Sequence, residues 1–334
     1  MTTPPDPGGS DDGTGGREGD PGGRAGGGSV RPWVVDVAVE DDVVLPVHVT
    51  PARAGTAARA PVLLLHGFPG SWRSFDAVVP ALAAEGRPCL VPEQRGYAAT
   101  GRPRDVGRYR LDRLVADAVA VLEALPGALR EGGHGSEDED GSPGPGPERV
   151  SVVGHDWGAV VAWALAAAHP ERVADLVAVS VPHPRAYVAG LREDRGQQLR
   201  SSYVRLLRRR GTAERVLLAG GGRGLRAAFA GSAVRPDLVD AHLRPLVRAD
   251  ELAGALAWYR ALRGRDLDAV PAVAVPTTYL WSDRDAFVAR GTAARCGDHV
   301  VGPYRARTLH GVSHWVPEER PEELVHAVRS PPPR

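Results

Sequence analysis

The sequence predicts an α/β protein: a mostly parallel β-sheet with helices on both faces and a helical cap inserted after one strand. Three observations carry this expectation. Short apolar, β-branched runs alternate with amphipathic helical stretches along the first half of the chain, the pattern of a parallel sheet covered on both sides. The strand signal vanishes from His183 to about Ala269, where Arg-rich helical patterns take over. One strand also runs directly into a helix through Gly154-His155-Asp156-Trp157-Gly158, a sharp turn that raises its central side chain above the sheet.

Taken in order, residues 1–30 are rich in Gly and Pro with almost no apolar side chains, which predicts a disordered tail. WVVDVAV (33–39) and VVLPVHV (43–49) read as a hairpin around Glu40-Asp41-Asp42. VLLLHG (62–67) is a buried strand, 74–84 a helical stretch, CLVPE (89–93) a strand, and LDRLVADAVAVLEAL (111–125) an amphipathic helix. The acidic, Gly/Pro-rich stretch 131–147 reads as a loop insertion. RVSVVGHD (149–156) is a strand, WGAVVAWALAAAHP (157–170) a helix ended by His-Pro, and VADLVAVSVP (173–182) the next strand. Residues 183–269 then form the helical cap over the carboxyl edge of the sheet, where open α/β sheets place their sites. TTYLWSD (277–283), YRARTLHG (304–311) and a helix at 321–329 complete a core made of 31–182 and 270–330.

Composition narrows the function. The 41 basic and 41 acidic residues balance, which argues against a nucleic-acid or anionic-membrane binder; the Arg-rich 205–210 stretch reads as a solvated helix face. The chain has no Lys, Asn or Ile, as expected of a GC-rich bacterial genome. Without Lys there is no Schiff-base chemistry and no P-loop. Cys89 and Cys296 have neither disulfide-scaffold nor zinc spacing, and His134, inside the 131–147 insertion, has no partner ligand at suitable spacing. Neither metal nor cofactor is expected. The start of the chain lacks signal-peptide character, and the longest apolar run, Ala159 to Ala168, is about half a membrane helix. The expectation is a soluble, cytoplasmic monomer or homodimer acting on a small molecule.

The raised residue of the elbow is Asp156, and no G-x-S-x-G occurs, which disfavours serine acyl transfer. A carboxylate nucleophile suits displacement at saturated carbon. Its product is an alkyl ester of Asp156, whose hydrolysis needs a base, an acid to orient that base and an oxyanion hole. His314 in Gly311-Val312-Ser313-His314-Trp315 is the candidate base, and His310, at the strand end, the weaker one. Asp285 in Trp281-Ser282-Asp283-Arg284-Asp285 is the candidate orienting acid, with Asp283 as its rival. The turn His66-Gly67-Phe68-Pro69 closes the strand beside the elbow, so the backbone N–H groups of Phe68 and Trp157 are the candidate oxyanion hole.

Together HGFPGSW (66–72), QRGY (94–97), GHDWGA (154–159) and GVSHW (311–315) resemble the α/β-hydrolase superfamily, specifically its epoxide hydrolase branch, across roughly 33–329. The resemblance implies the α/β-hydrolase fold, an Asp–His–Asp triad, and hydrolysis of an epoxide to a vicinal diol without a cofactor. It also implies two cap tyrosines that hold and protonate the epoxide oxygen. Tyr203 in Ser201-Ser202-Tyr203 and Tyr259 in Ala257-Trp258-Tyr259-Arg260 match them. The chain departs from the family pattern at Ser202, usually aromatic, at Ala257, often Asn, and in the AATGRP that follows QRGY. Two alternatives accompany this reading. A haloalkane or haloacid dehalogenase shares the Asp nucleophile, but Phe68 stands where the former usually has Asn or Glu, and Trp157 and Val160 where the fluoroacetate-type enzymes have Arg. A non-catalytic binding protein of the same fold is disfavoured by the intact triad.

Overall fold

The hairpin at the start of the chain is β1 (Trp33–Glu40) and β2 (Val43–Thr50), and the alternating burial along β2 marks it as half covered. Then come β3 (Val62–Leu65), α1 (Val78–Ala83), β4 (Cys89–Pro92), α2 (Leu111–Glu131), β5 (Val150–His155), α3 (Trp157–Ala168) and β6 (Val173–Val179). Seven helices follow before the next strand: α4 (Pro184–Glu193), α5 (Arg195–Arg200), α6 (Val204–Leu207), α7 (Thr212–Arg226), α8 (Pro236–Leu243), α9 (Ala249–Ala261) and α10 (Gly264–Asp268). The chain ends with β7 (Thr277–Ser282), α11 (Arg290–Ala294), β8 (Tyr304–Leu309), α12 (Val316–Glu319) and α13 (Pro321–Arg329). The structure is a computed structural model and describes residues 32–131 and 149–333. The expected tail and, apart from its first residue, the 131–147 insertion with His134 lie outside the described residues.

The eight strands form one sheet in the order β1-β2-β4-β3-β5-β6-β7-β8. β2 pairs antiparallel with β1 and with β4, and every other pairing is parallel. The central strands β3 and β5 are buried along their whole length, because helices cover both faces. Leu63, Leu65 and Val152 pack towards α2 and α3, while Val62, Leu64 and Val153 join α1 and α13 on the other face. This is the two-residue alternation of a strand put to use on both sides.

Local chemistry moves some helix boundaries. The expected 74–84 helix is a 3₁₀ turn at Trp72–Phe75 followed by α1. Pro80 has no N–H and costs least in a first helical turn, and α1 begins two residues before it. The second helix runs on to Glu131, through Pro126. α7 is broken at Ala219–Gly222, where Gly220, Gly221 and Gly222 all take positive φ, a region that costs glycine little. The helix that carries Tyr259 is seated on the QRGY turn: Trp258 Nε1 donates to the carbonyl of Arg95 at 2.7 Å. A Cβ on Gly96 would lie 2.6 Å from the Gly254 carbonyl oxygen, so that close approach needs glycine. Arg95 is itself buried and bidentate to Asp117. Among the described residues no helix is long and apolar enough to cross a membrane.

Candidate active site

The β5–α3 turn holds Asp156 at φ 53°, ψ −120°, a strained conformation for a residue with a Cβ. The glycines around it are there for space. A Cβ on Gly154 would stand 2.5 Å from the Gly158 carbonyl oxygen, and one on Gly158 2.0 Å from that of Leu65. A Cβ on Gly67 would overlap the Asp156 side chain itself. The Phe68 N–H donates to Asp156 Oδ1 at 2.8 Å. Trp157 is the first residue of α3, where a backbone N–H has no partner within the helix.

His314 follows β8 and is buried, with Nε2 3.5 Å from Asp156 Oδ2 and Nδ1 3.0 Å from Asp285 Oδ2. The other oxygen of Asp285 accepts the N–H groups of Phe287 and Val288 at 2.7 and 3.0 Å, which fixes the carboxylate. The carbonyl of His314 faces His155 Nε2 at 2.9 Å and accepts from Ser180 Oγ at 3.1 Å. Burial alone would lower the imidazole pKa. The negative charge of Asp285 and the hydrogen bonds to Asp156 and Asp285 outweigh it and push the pKa up to about 10. The same contact works on Asp156: burial favours its neutral form, but His314 overrides this and holds the carboxyl below its ordinary range. The rival pair lies elsewhere. Asp283 Oδ2 faces Nδ1 of the exposed His310 at 2.9 Å, and its Oδ1 accepts the Gly311 N–H, so neither residue joins the buried cluster.

Tyr203 and Tyr259 come from different segments of the helical insertion and meet over Asp156. Their rings are 6.2 Å apart and nearly perpendicular. Tyr259 stands edge-on to Trp157 at 4.9 Å and to Phe68 at 5.5 Å, and Tyr203 to Phe287 at 5.5 Å. Burial, reinforced by the Asp156 charge, raises both phenols well above their ordinary pKa, so both keep their protons. Two cavities, of about 240 and 470 Å³, share Asp156, Tyr203, Tyr259 and Phe287 as lining. The smaller also touches Val160, Leu191, Leu262 and Leu267, and the larger Leu206, Leu217 and Leu225. The residues that order this region include several that sequence patterns do not announce. Arg208 donates to the backbone carbonyls of Tyr259 and Leu262 at 2.8 and 2.7 Å. Gln197 bridges the Asp285 loop to Ser201, and Tyr187 lines the smaller cavity. No spacing rule marks a lone Gln, Ser or Tyr as a hub; only the fold brings them together.

Sheet order, elbow and His–Asp pairing together define a hydrolase of the α/β class whose elbow carries a carboxylate. Residues 62–327 match the alpha/beta hydrolase family, and the chain belongs to that family. It is similar to Epoxide hydrolase A of Mycobacterium tuberculosis, with 30% identity over 319 residues, covering 84% of this chain and 93% of the relative. The AB hydrolase superfamily protein YfhM of Bacillus subtilis is 29% identical over 83% of this chain and 91% of its own. In structure, the chain is similar to Epoxide Hydrolase A from Mycobacterium thermoresistibile, with a TM-score of 0.70 at 24% identity, covering 91% of this chain and all of the other.

Proposed function

We propose that this protein hydrolyses a small-molecule epoxide to a vicinal diol through an alkyl ester of Asp156. The observation that carries the reading is that Asp156 shares its cavity with two protonated phenols, the buried Tyr259 and the half-buried Tyr203. An unactivated epoxide needs both, a carbon-directed nucleophile and an acid at the departing oxygen. The 30% identical relative named Epoxide hydrolase A supports the same chemistry.

In this mechanism an Asp156 oxygen forms a bond to an epoxide carbon as the C–O bond breaks, and the oxygen takes its proton from a cap tyrosine. The new ester is neutral, so His314 loses one of the two charges that kept it protonated. Its proton is released and restores the phenol. The free imidazole, oriented by Asp285, then takes a proton from water as the water attacks the ester carbonyl. The Phe68 and Trp157 N–H groups receive the oxyanion. Collapse expels the diol oxygen, which takes the proton of the regenerated carboxyl group. Asp156 is again a carboxylate beside imidazolium. The helices between β6 and β7 act as a cap that excludes bulk water. The balanced net charge suits a neutral substrate.

Dehalogenation keeps a specific point in its favour: the buried indole N–H of Trp157 makes only a loose contact with the Tyr259 side chain, and could serve a halide instead. A paired assay decides between the two. Diol formation from styrene-oxide-like epoxides, with no halide release from haloalkanes, is expected; halide release without diol formation overturns the proposal. A single turnover in heavy-oxygen water tests the ester. The label is expected in Asp156 and absent from the first diol, whereas label in the first diol means direct attack by water.

A further inference from the structure

The smaller cavity holds a third phenol whose hydrogen bonds can be accounted for one proton at a time. Tyr187, on α4, lines that cavity together with Ser201. Its hydroxyl lies 2.8 Å from Ser201 Oγ. Ser201 Oγ in turn accepts from Gln197 Nε2 at 2.9 Å. Gln197 is fully buried and its amide is completely used: Nε2 also donates to the Phe287 carbonyl at 2.8 Å, and Oε1 accepts the Ala289 N–H at 2.9 Å. Its orientation is therefore fixed, and it can only be a donor to Ser201.

Between them Ser201 and Tyr187 own two hydroxyl protons, and one is used in the bond they share. No other acceptor for either proton is present among the described residues. The arrangement Gln197 → Ser201 → Tyr187 runs all donors one way, so each bond strengthens the next. It leaves the phenolic proton of Tyr187 without a protein acceptor in a cavity whose Val, Leu, Pro and Phe wall is interrupted by Asp156, the two cap tyrosines, Trp157, Arg205 and Arg208. A sheltered phenol usually finds an acceptor. In this arrangement that acceptor comes from the cavity's occupant.

We infer that Tyr187 is a substrate-binding residue that donates to an acceptor oxygen on the arm of the substrate occupying the smaller cavity, so that the favoured substrates are epoxides bearing an ether or similar oxygen on that arm. The inference rests on the epoxide reading of the site. Both Asp156 and Asp285 make the phenol harder to ionise, after burial itself, so Tyr187 stays a donor at working pH and is close enough to the reacting groups to feel their charge.

The test compares phenyl glycidyl ether with 4-phenyl-1,2-epoxybutane, in which CH₂ replaces the ether oxygen. Tyr187→Phe is expected to lower kcat/KM for the ether about tenfold and to leave the carbon analogue within about twofold, the loss of one sheltered hydrogen bond. Ser201→Ala, which removes the polarising bond, is expected to act in the same direction and less strongly. The carbon analogue is also the folding control, because each substrate is compared with itself across variants. Equal losses on both substrates would give Tyr187 a structural or epoxide-directed role and overturn the inference, as would no loss on either. If the wild type opens neither epoxide, the parent reading falls as well; if it opens both and the variant leaves their ratio unchanged, only the inference about Tyr187 falls.

Discussion

The Nε2 of His314 lies 3.5 Å from Oδ2 of Asp156, and both side chains are buried. The resting imidazole is therefore an imidazolium set between two carboxylates, and the charge of Asp156 is part of what keeps it so. Asp156→Asn removes that charge at nearly constant shape. The His314 pKa is expected to fall from about 10, read from its ring-proton shifts by NMR. The sign for stability follows from linkage. A His whose folded pKa exceeds its unfolded value of about 6.5 contributes fully below that value, and the contribution is lost as pH rises through the folded pKa. Wild-type stability to urea should therefore decline from about pH 7 to 10, and less steeply in the variant. An unchanged His314 titration in Asp156→Asn would remove the coupling on which the two-step mechanism depends.

His314→Gln separates the two chemical steps. Ring opening needs Asp156 and the tyrosines, whereas ester hydrolysis needs the imidazole. The variant should gain the mass of one substrate molecule, located by peptide mapping at Asp156, while steady-state turnover falls by about 10³. Turnover lost without any covalent adduct would place His314 in the first step instead.

The two tyrosines are expected to be unequal. Tyr259 is buried on a well-packed helix, with the Trp258 indole bound to the Arg95 carbonyl beneath it. Tyr203 stands at the start of the four-residue helix α6 and keeps more surface open. Each single Phe variant should slow alkylation by about 10- to 100-fold, with Tyr259→Phe the more damaging, and the double variant should fall further. Rapid-quench measurement of ester formation checks this. A Tyr203→Phe enzyme with wild-type alkylation would leave Tyr259 as the sole acid.

Sequence patterns revealed the parts whose physics is local. Asp156 is legible because a strand-to-helix turn with glycines two residues to either side has one steric solution. His314 is legible because it follows the last strand at the sheet's carboxyl edge. The choice between Asp285 and Asp283 was not legible: two residues of register decide which carboxylate turns inward, and backbone N–H groups from Phe287 and Val288 set that register. Tyr203 and Tyr259 were readable only through family resemblance, since an amphipathic helix carries Tyr for packing as often as for chemistry. Gln197, Ser201, Tyr187 and Arg208 were invisible, because their partners lie on other segments and no one-dimensional spacing encodes the meeting.

A last relationship lies behind the site, where α8 of the helical insertion meets α12 of the core. His242 Nε2 is 3.3 Å from Glu318 Oε1, with essentially no solvent exposure on either side chain, and His242 Nδ1 is 2.9 Å from Ser71 Oγ. Phe229 stacks on Trp315 at 4.0 Å beside them, so this is where the insertion grips the segment that follows His314. Burial would raise the Glu318 pKa, but His242, His155 and Ser74 outweigh it and hold the carboxyl below its ordinary range. A depressed carboxyl contributes stability above its unfolded pKa and loses it as pH falls, so the grip weakens in acid. His242→Ala would leave the Glu318 carboxylate buried without its imidazole partner, at a cost of about 1–3 kcal/mol. Glu318→Gln removes the charge and keeps the shape, and should cost less; the double variant should be more stable than the sum of the single losses implies. Urea unfolding at pH 7 measures all three. A loss below about 1 kcal/mol for His242→Ala would mean that water, rather than His242, satisfies Glu318.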